Sequence, residues 1–259
     1  MLFGRLGGVL VLLGVAVFVW AGARHPDMAT ELGPFDSPEY FTRLAAVIGH
    51  HRDWSTIHAG LLVGPLLWAL GSAALVARLH RQGEHRYSVV GGAALAVGSV
   101  LWAVAFVFAA FVLPAHAAAV RASDGGTLAV AVAGLRGAQA VAFRLGLVAL
   151  VVIGVGMASM AASLLYSRHG GPVFRRAAGS AGVLLGVWPL VAWAAGIFQP
   201  SPFTSALWAP TAILTSGWFT AVGIGLLAAD ADRSDPTLLA STGGAGGKLV
   251  AAQALPEPS

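Results

Sequence analysis

Cysteine is absent from the 259 residues, which excludes disulfides, thiolate metal sites, iron–sulfur clusters and thiol catalysis in one step. Asparagine is missing as well, and Lys248 is the only lysine. An N-glycosylation acceptor and a Schiff-base lysine inside an apolar stretch are therefore both ruled out. Charge of either sign is scarce at 10%, and none of the 11 acidic residues falls inside the six long apolar stretches. Ion-coupled pumps and transporters usually hold a protonatable or cation-binding carboxylate at membrane depth, and this chain offers none there. Also missing are a GxSxG elbow, a P-loop, a GxGxxG turn and the paired acidic motif that holds Mg²⁺ for prenyl or phosphoryl transfer. An ordinary hydrolase or transferase mechanism has no residues to run on.

What is present is apolar: 57% hydrophobic residues and a mean hydropathy of +0.79 over the whole chain. That usage belongs to a polytopic membrane protein. The pI of about 10.3 does not signal nucleic acid, because the arginines are spread through short connections with no aromatic-interleaved stripe. A bilayer core about 30 Å thick asks for roughly 20 apolar residues at helical rise. Six segments qualify: 6–23, 57–79, 88–113, 140–166, 177–198 and 205–229. Strands are excluded, since these runs show no apolar–polar alternation. The expected fold is an all-α six-transmembrane-helix bundle. The first segment also imitates a secretory signal, with Arg5, an apolar run and Ala21-Gly22-Ala23; read as a retained helix, it gives six spans with both ends on one side.

Arginine sets the orientation, because short cytoplasmic connections carry the excess of positive charge. The junction between the second and third spans holds Arg78, Arg81 and Arg86, and that between the fourth and fifth holds Arg168, Arg175 and Arg176. These connections are expected in the cytoplasm, which puts both termini there too. Residues 230–259, rich in Asp, Ser, Gly and Pro, read as a flexible cytoplasmic tail. Alanine-, glycine- and arginine-rich usage fits a bacterial plasma membrane. On the outer side, Asp36 or Ser37 can cap a helix beginning at Pro38. Phe41, Leu44, Ala45 and Ile48 repeat along one face of it, so residues 38–49 are expected as an amphipathic helix lying on the bilayer and ended by Gly49.

Helices in lipid associate through close backbone approach, which marks Gly60–Gly64 and Gly182–Gly186 as packing sites. Pro65 and Pro189 should kink the second and fifth spans and free carbonyls at membrane depth. Trp20, Trp54, Trp208 and Tyr166 fall at span ends as interfacial anchors. Trp68, Trp102, Trp188, Trp193 and Trp218 sit deeper, where each indole wants a partner and serves core packing or a cavity for a flat lipophile.

Polar chemistry gathers at the outer junction before the second span. His50, His51 and Asp53 lie just outside the membrane, Asp53 or Ser55 can cap the span, and His58 sits in its first turns with Trp54 on the same face. The third span ends on the same side at Pro114 and His116. Two or three imidazoles with a carboxylate, His50, His51, Asp53 and His58, suit a divalent metal; His58 and His116 on two helices suit the axial positions of haem b. Structural use stands beside both, because histidine is favoured at helix ends by the last carbonyls. No HExxH or HxxxH spacing is present. His80, His85 and His169 read as solvated connection residues. Arg144, a few positions inside the fourth span, snorkels to the head groups, pairs with Asp53 or Asp124, or holds an anionic group such as a haem propionate. The expected function is non-catalytic: an accessory subunit of a membrane complex, or a lipophilic-ligand-binding protein, with an outer vestibule formed by spans two, three and four. The alternatives are a haem b electron-transfer anchor through His58 and His116, a metal-binding protein, and a facilitator or exporter using the breaks at Pro65 and Pro189.

Overall fold

A computed structural model describes residues 2–32, 37, 39–84, 86–167, 171–198 and 208–231. It is helical throughout, with no strand among the described residues. The helices are α1 (Leu2–Arg24), α2 (Met28–Leu32), α3 (Tyr40–His50), α4 (Trp54–Arg81), α5 (Arg86–Val107), α6 (Leu113–Ala122), α7 (Gly125–Tyr166), α8 (Pro172–Phe198) and α9 (Trp208–Ala231). A π-helical turn, Phe108–Val112, joins α5 to α6 without a break. Asp36, Pro38, His85, Arg168, His169 and residues 232–259 lie outside the described residues, as do the side chains of Trp193 and Trp208. Five segments are long and apolar enough to cross a membrane: Leu2–Arg24, Trp54–Arg81, Arg86–Ala122, Gly125–Tyr166 and Pro210–Ala228. The chain is a helical membrane protein.

Helix lengths divide the molecule. The 42 residues of α7 make a rod of about 63 Å, twice the thickness of a bilayer core. Its second half packs in the bundle, where Ile153, Met157, Met160 and Leu164 meet Leu61, Leu75, Leu95, Trp102 and Phe219 in one buried cluster. Its first half stands beyond the bundle and builds a separate core, in which Leu135 and Ala138 meet Leu44, Ile48, Leu113 and Val120. Thus α3, α6 and the start of α7 form a cap on the end of the bundle where α1 finishes and α4 begins. Within the bundle α7 packs on α5 and α8, α4 on α1 and α5, and α9 mainly on α1 with only a light seam against α8.

The cap changes several readings made from the sequence. The apolar face of α3, including Phe41, Leu44, Ala45 and Ile48, is covered by α6 and α7 of the protein itself. Helical periodicity shows that one face is buried; it does not show whether lipid or protein buries it. Gly49 does not end α3, which runs on to His50. A Cβ at Gly49 would lie 2.6 Å from the Arg121 guanidinium, whose Nη1 donates to the Ala45 carbonyl at 2.7 Å, so glycine here makes room for a cation on the last carbonyls. Trp54 is no interfacial anchor: it is buried under the cap. Arg78 lies in the last turn of α4 and is buried, where the sequence places it in a solvated connection.

Proline removes a donor, and here the orphaned carbonyls find indoles. Pro65 cannot bond the Leu61 carbonyl four residues back; the Trp102 Nε1–H donates to that oxygen at 2.9 Å. Pro114 neither ends its helix nor leaves its carbonyls bare. The π turn before it exposes Ala109 and Ala110, which accept from Trp54 Nε1 and Ser55 Oγ, each at 2.7 Å. The π turn therefore locks the start of α4 against the root of the cap. Both glycine pairs lie in helix contacts: a Cβ at Gly64 would fall 2.7 Å from Phe18 Cβ on α1, and one at Gly186 would fall 2.5 Å from the Gly154 carbonyl on α7. At the other end of the bundle, Glu84 accepts from the Tyr87 and Ser88 N–H groups, both at 3.0 Å, and so satisfies two orphan donors of α5.

Candidate functional site

The joint between bundle and cap collects the imidazoles. His58, buried one turn into α4, donates its Nδ1–H to the Trp54 carbonyl at 2.8 Å, and its ring stacks on Trp54 at 4.2 Å. Phe106 of α5 closes a further side at 5.9 Å. The last side is His25, at 5.1 Å from His58 and 6.1 Å from Trp54. His51, ending α3, stands 3.8 Å from the Glu31 carboxylate of α2. Burial pushes the His25 imidazole below its ordinary value; its Nδ1–H donation to the Pro26 carbonyl at 2.9 Å opposes the shift, and the nearby charge of His51 adds to it.

His25 is absent from the site read in the sequence. The antiparallel packing of α1 on α4 brings the residue that follows α1 beside the residues that begin α4. The signal was available in principle, since both ends were placed on the outer side, but only the helix pairing makes them neighbours.

The proposed haem ligands do not meet. The Ser55–Ala110 bond fixes the register of α4 against α5 and α6, and His58 lies level with Phe106. His116 stands 10 residues farther along, about 15 Å by helical rise, and packs against Gly134 of α7. Two axial nitrogens of one iron must approach within about 4 Å, at roughly 2 Å from the metal each. Nor do the proposed metal ligands converge. His50 is exposed and turned back to the Ala46 carbonyl at 2.7 Å, while Asp53 is exposed at the N-cap of α4 without a side-chain capping bond. Among the described residues, no three His, Cys, Asp or Glu side chains gather as a metal-binding group. Arg144 is exposed on α7, and Asp124 lies 20 residues earlier on the same helix, about 30 Å away and out of reach.

The joint is thus a packed aromatic and imidazole box that ties α1, α4 and α5 to the cap. It holds buried hydrogen-bonding groups and a peripheral His–Glu pair, and among the described residues no acid–base couple aimed at an open cleft. No protein-family description, curated protein or solved structure matches the chain.

Proposed function

We propose that this chain is a plasma-membrane protein with six crossings and both termini in the cytoplasm, acting without catalysis as an accessory subunit or lipophilic-ligand-binding component of a membrane complex. The observation that carries the reading is the cap. Its hydrophobic core is separate from that of the bundle, and a bond-locked joint holds it rigidly to the helices that would span the bilayer. A domain raised about 30 Å beyond the hydrocarbon core, with no catalytic constellation, is suited to presenting a surface to a neighbour. The arginines near the α4–α5 connection and the start of α8 favour an outward-facing cap.

The absence of native cysteine makes the test direct. Single cysteines at Gly83, in the α4–α5 connection, and at Gly126, at the tip of the cap, are exposed to a membrane-impermeant thiol reagent in intact cells. Gly126→Cys is expected to react and Gly83→Cys only after lysis; the reverse pattern defeats the orientation. A photo-crosslinking side chain in place of Val130, which is 75% exposed on the cap, should then give one discrete adduct in native membranes. A cap that yields no adduct from any exposed position defeats the accessory reading.

A further inference from the structure

All six long helices meet around a small cavity in the middle of the bundle, lined by Phe18, Pro65, Trp68, Trp102, Pro189 and Thr215 together with residues of α7. Its volume is about 30 Å³. A single water needs about 10–15 Å³ measured in this way, so the space admits one or two oxygen-sized groups and no ring. A flat lipophile cannot sit there whole.

The polar inventory around the cavity is specific. Trp68 is 4% exposed, and its Nε1–H meets no hydrogen-bond partner among the described residues. Its ring stacks on Phe219 at 4.6 Å and meets a tilted Phe18 ring at 4.9 Å, which together oppose rotation to another partner. The other buried indoles among the described residues are satisfied: Trp54 by Ala109, Trp102 by Leu61 and Trp218 by the Ala178 carbonyl at 2.9 Å. Buried donors in proteins are almost always paired, which singles out Trp68. On α9, Ser216 is also 4% exposed with an unpartnered hydroxyl, and it shares the Phe219 face with Ala212 and Thr215, which line the cavity. Pro189 removes the donor that would bond the Leu185 carbonyl within α8. No charged side chain lines the cavity, so its occupant must be neutral.

We propose that this cavity is a binding site for one neutral oxygen group, which accepts the Trp68 Nε1–H and can donate in turn to the α9 hydroxyls. The group is either a bound water or the hydroxyl of a bilayer-soluble molecule whose apolar remainder lies in lipid. Access for the second source is the seam between α8 and α9, which among the described residues is light beside the contacts of α9 with α1 and of α8 with α7. Trp188 bridges that seam, its Nε1 donating to Thr211 Oγ1 at 3.2 Å, while its ring is 43% exposed.

The test uses the full chain in phosphatidylcholine nanodiscs. Ultraviolet resonance Raman spectra of the wild type minus Trp68→Phe isolate the Trp68 indole; a hydrogen-bonded N–H is expected, and a free N–H overturns the site. Radiolytic labelling in ¹⁸O water then reads the source at Met157, which lines the cavity and is 1% exposed. Labelling that falls at least fivefold in Thr215→Val, a variant that keeps every indole, identifies water. Protection of Met157 by a diazirine-bearing long-chain alcohol, with crosslinks to the α9 peptide that Trp188→Ala accelerates, identifies the bilayer molecule. If Trp68→Phe does not fold, the wild type and Thr215→Val decide alone: neither label nor crosslink at Met157, or signals unchanged in Thr215→Val, overturns the proposal.

Discussion

Single residues carry the strain that proline introduces, and Trp102 is the clearest case. Trp102→Phe leaves the Leu61 carbonyl buried without a donor, which should cost about 1–3 kcal/mol. In a Pro65→Ala background the helix supplies its own N–H to that oxygen, so the same substitution should cost clearly less. Thermal unfolding of the four proteins in detergent measures the coupling; equal losses in both backgrounds would show that the indole acts through packing alone. The effect was half-legible. Pro65 announces a freed carbonyl, but only the side-by-side packing of α4 and α5 selects Trp102 to meet it. His25 makes a second residue-scale prediction. Burial lowers its pKa from the ordinary 6.5, so the folded state keeps the ring neutral while the unfolded chain takes up the proton. Its contribution to stability is complete above the ordinary value and is lost as pH falls through the lowered one. His25→Phe, which retains a ring against Trp54 and His58, should flatten the decline in melting temperature between pH 7.5 and 5; an unchanged slope assigns the titration elsewhere.

At the scale of elements, glycine decides how closely helices approach. A Cβ at Gly71 of α4 would lie 2.5 Å from the Gly7 carbonyl of α1, and one at Gly14 of α1 would lie 2.7 Å from the Gly64 carbonyl of α4. Backbone cannot yield as a side chain can. Gly71→Ala should therefore push α1 from α4 and cost about 1–3 kcal/mol. Gly22→Ala, where the added carbon meets open space, should stay within about 0.5 kcal/mol. Melting curves of the two variants check this, and equal effects would show that the close approach at Gly71 does not set the helix spacing, since helix propensity by itself favours alanine at both positions. Gly60–Gly64 was visible as a spacing in the sequence, whereas Gly7, Gly14 and Gly71 gain meaning only from the facing helix. Amphipathic α3 shows the same division. Its buried face was readable from periodicity, yet the surface that covers it comes from α6 and α7, which the sequence reading does not extend past the membrane boundary.

For the whole molecule, the decisive feature is that α7 and the continuous α5–α6 segment are longer than a bilayer core is thick and carry a second core at one end. That geometry separates His58 from His116 and gives a spectroscopic prediction: purified protein from cells supplied with haem should show no bis-histidine absorption band that sharpens on reduction. Such a band would require the cap to pack otherwise than described. The joint also makes cap and bundle one unit, since Trp54, Ser55, His25 and Phe106 all bridge them or their roots.

Composition and apolar run length determined by themselves that this is a helical membrane protein without thiols, intramembrane carboxylates or familiar catalytic motifs, because transfer free energy is additive along a chain and needs no knowledge of partners. The positions of Pro65, Pro114 and the deep tryptophans were likewise plain in one dimension. Tertiary structure alone decided which indole satisfies which carbonyl, which imidazoles become neighbours, where the cap stands, and that Trp68 keeps an unpaired proton beside a cavity. Those outcomes depend on helix register and pairing, which arise from short-range packing between residues far apart in the chain.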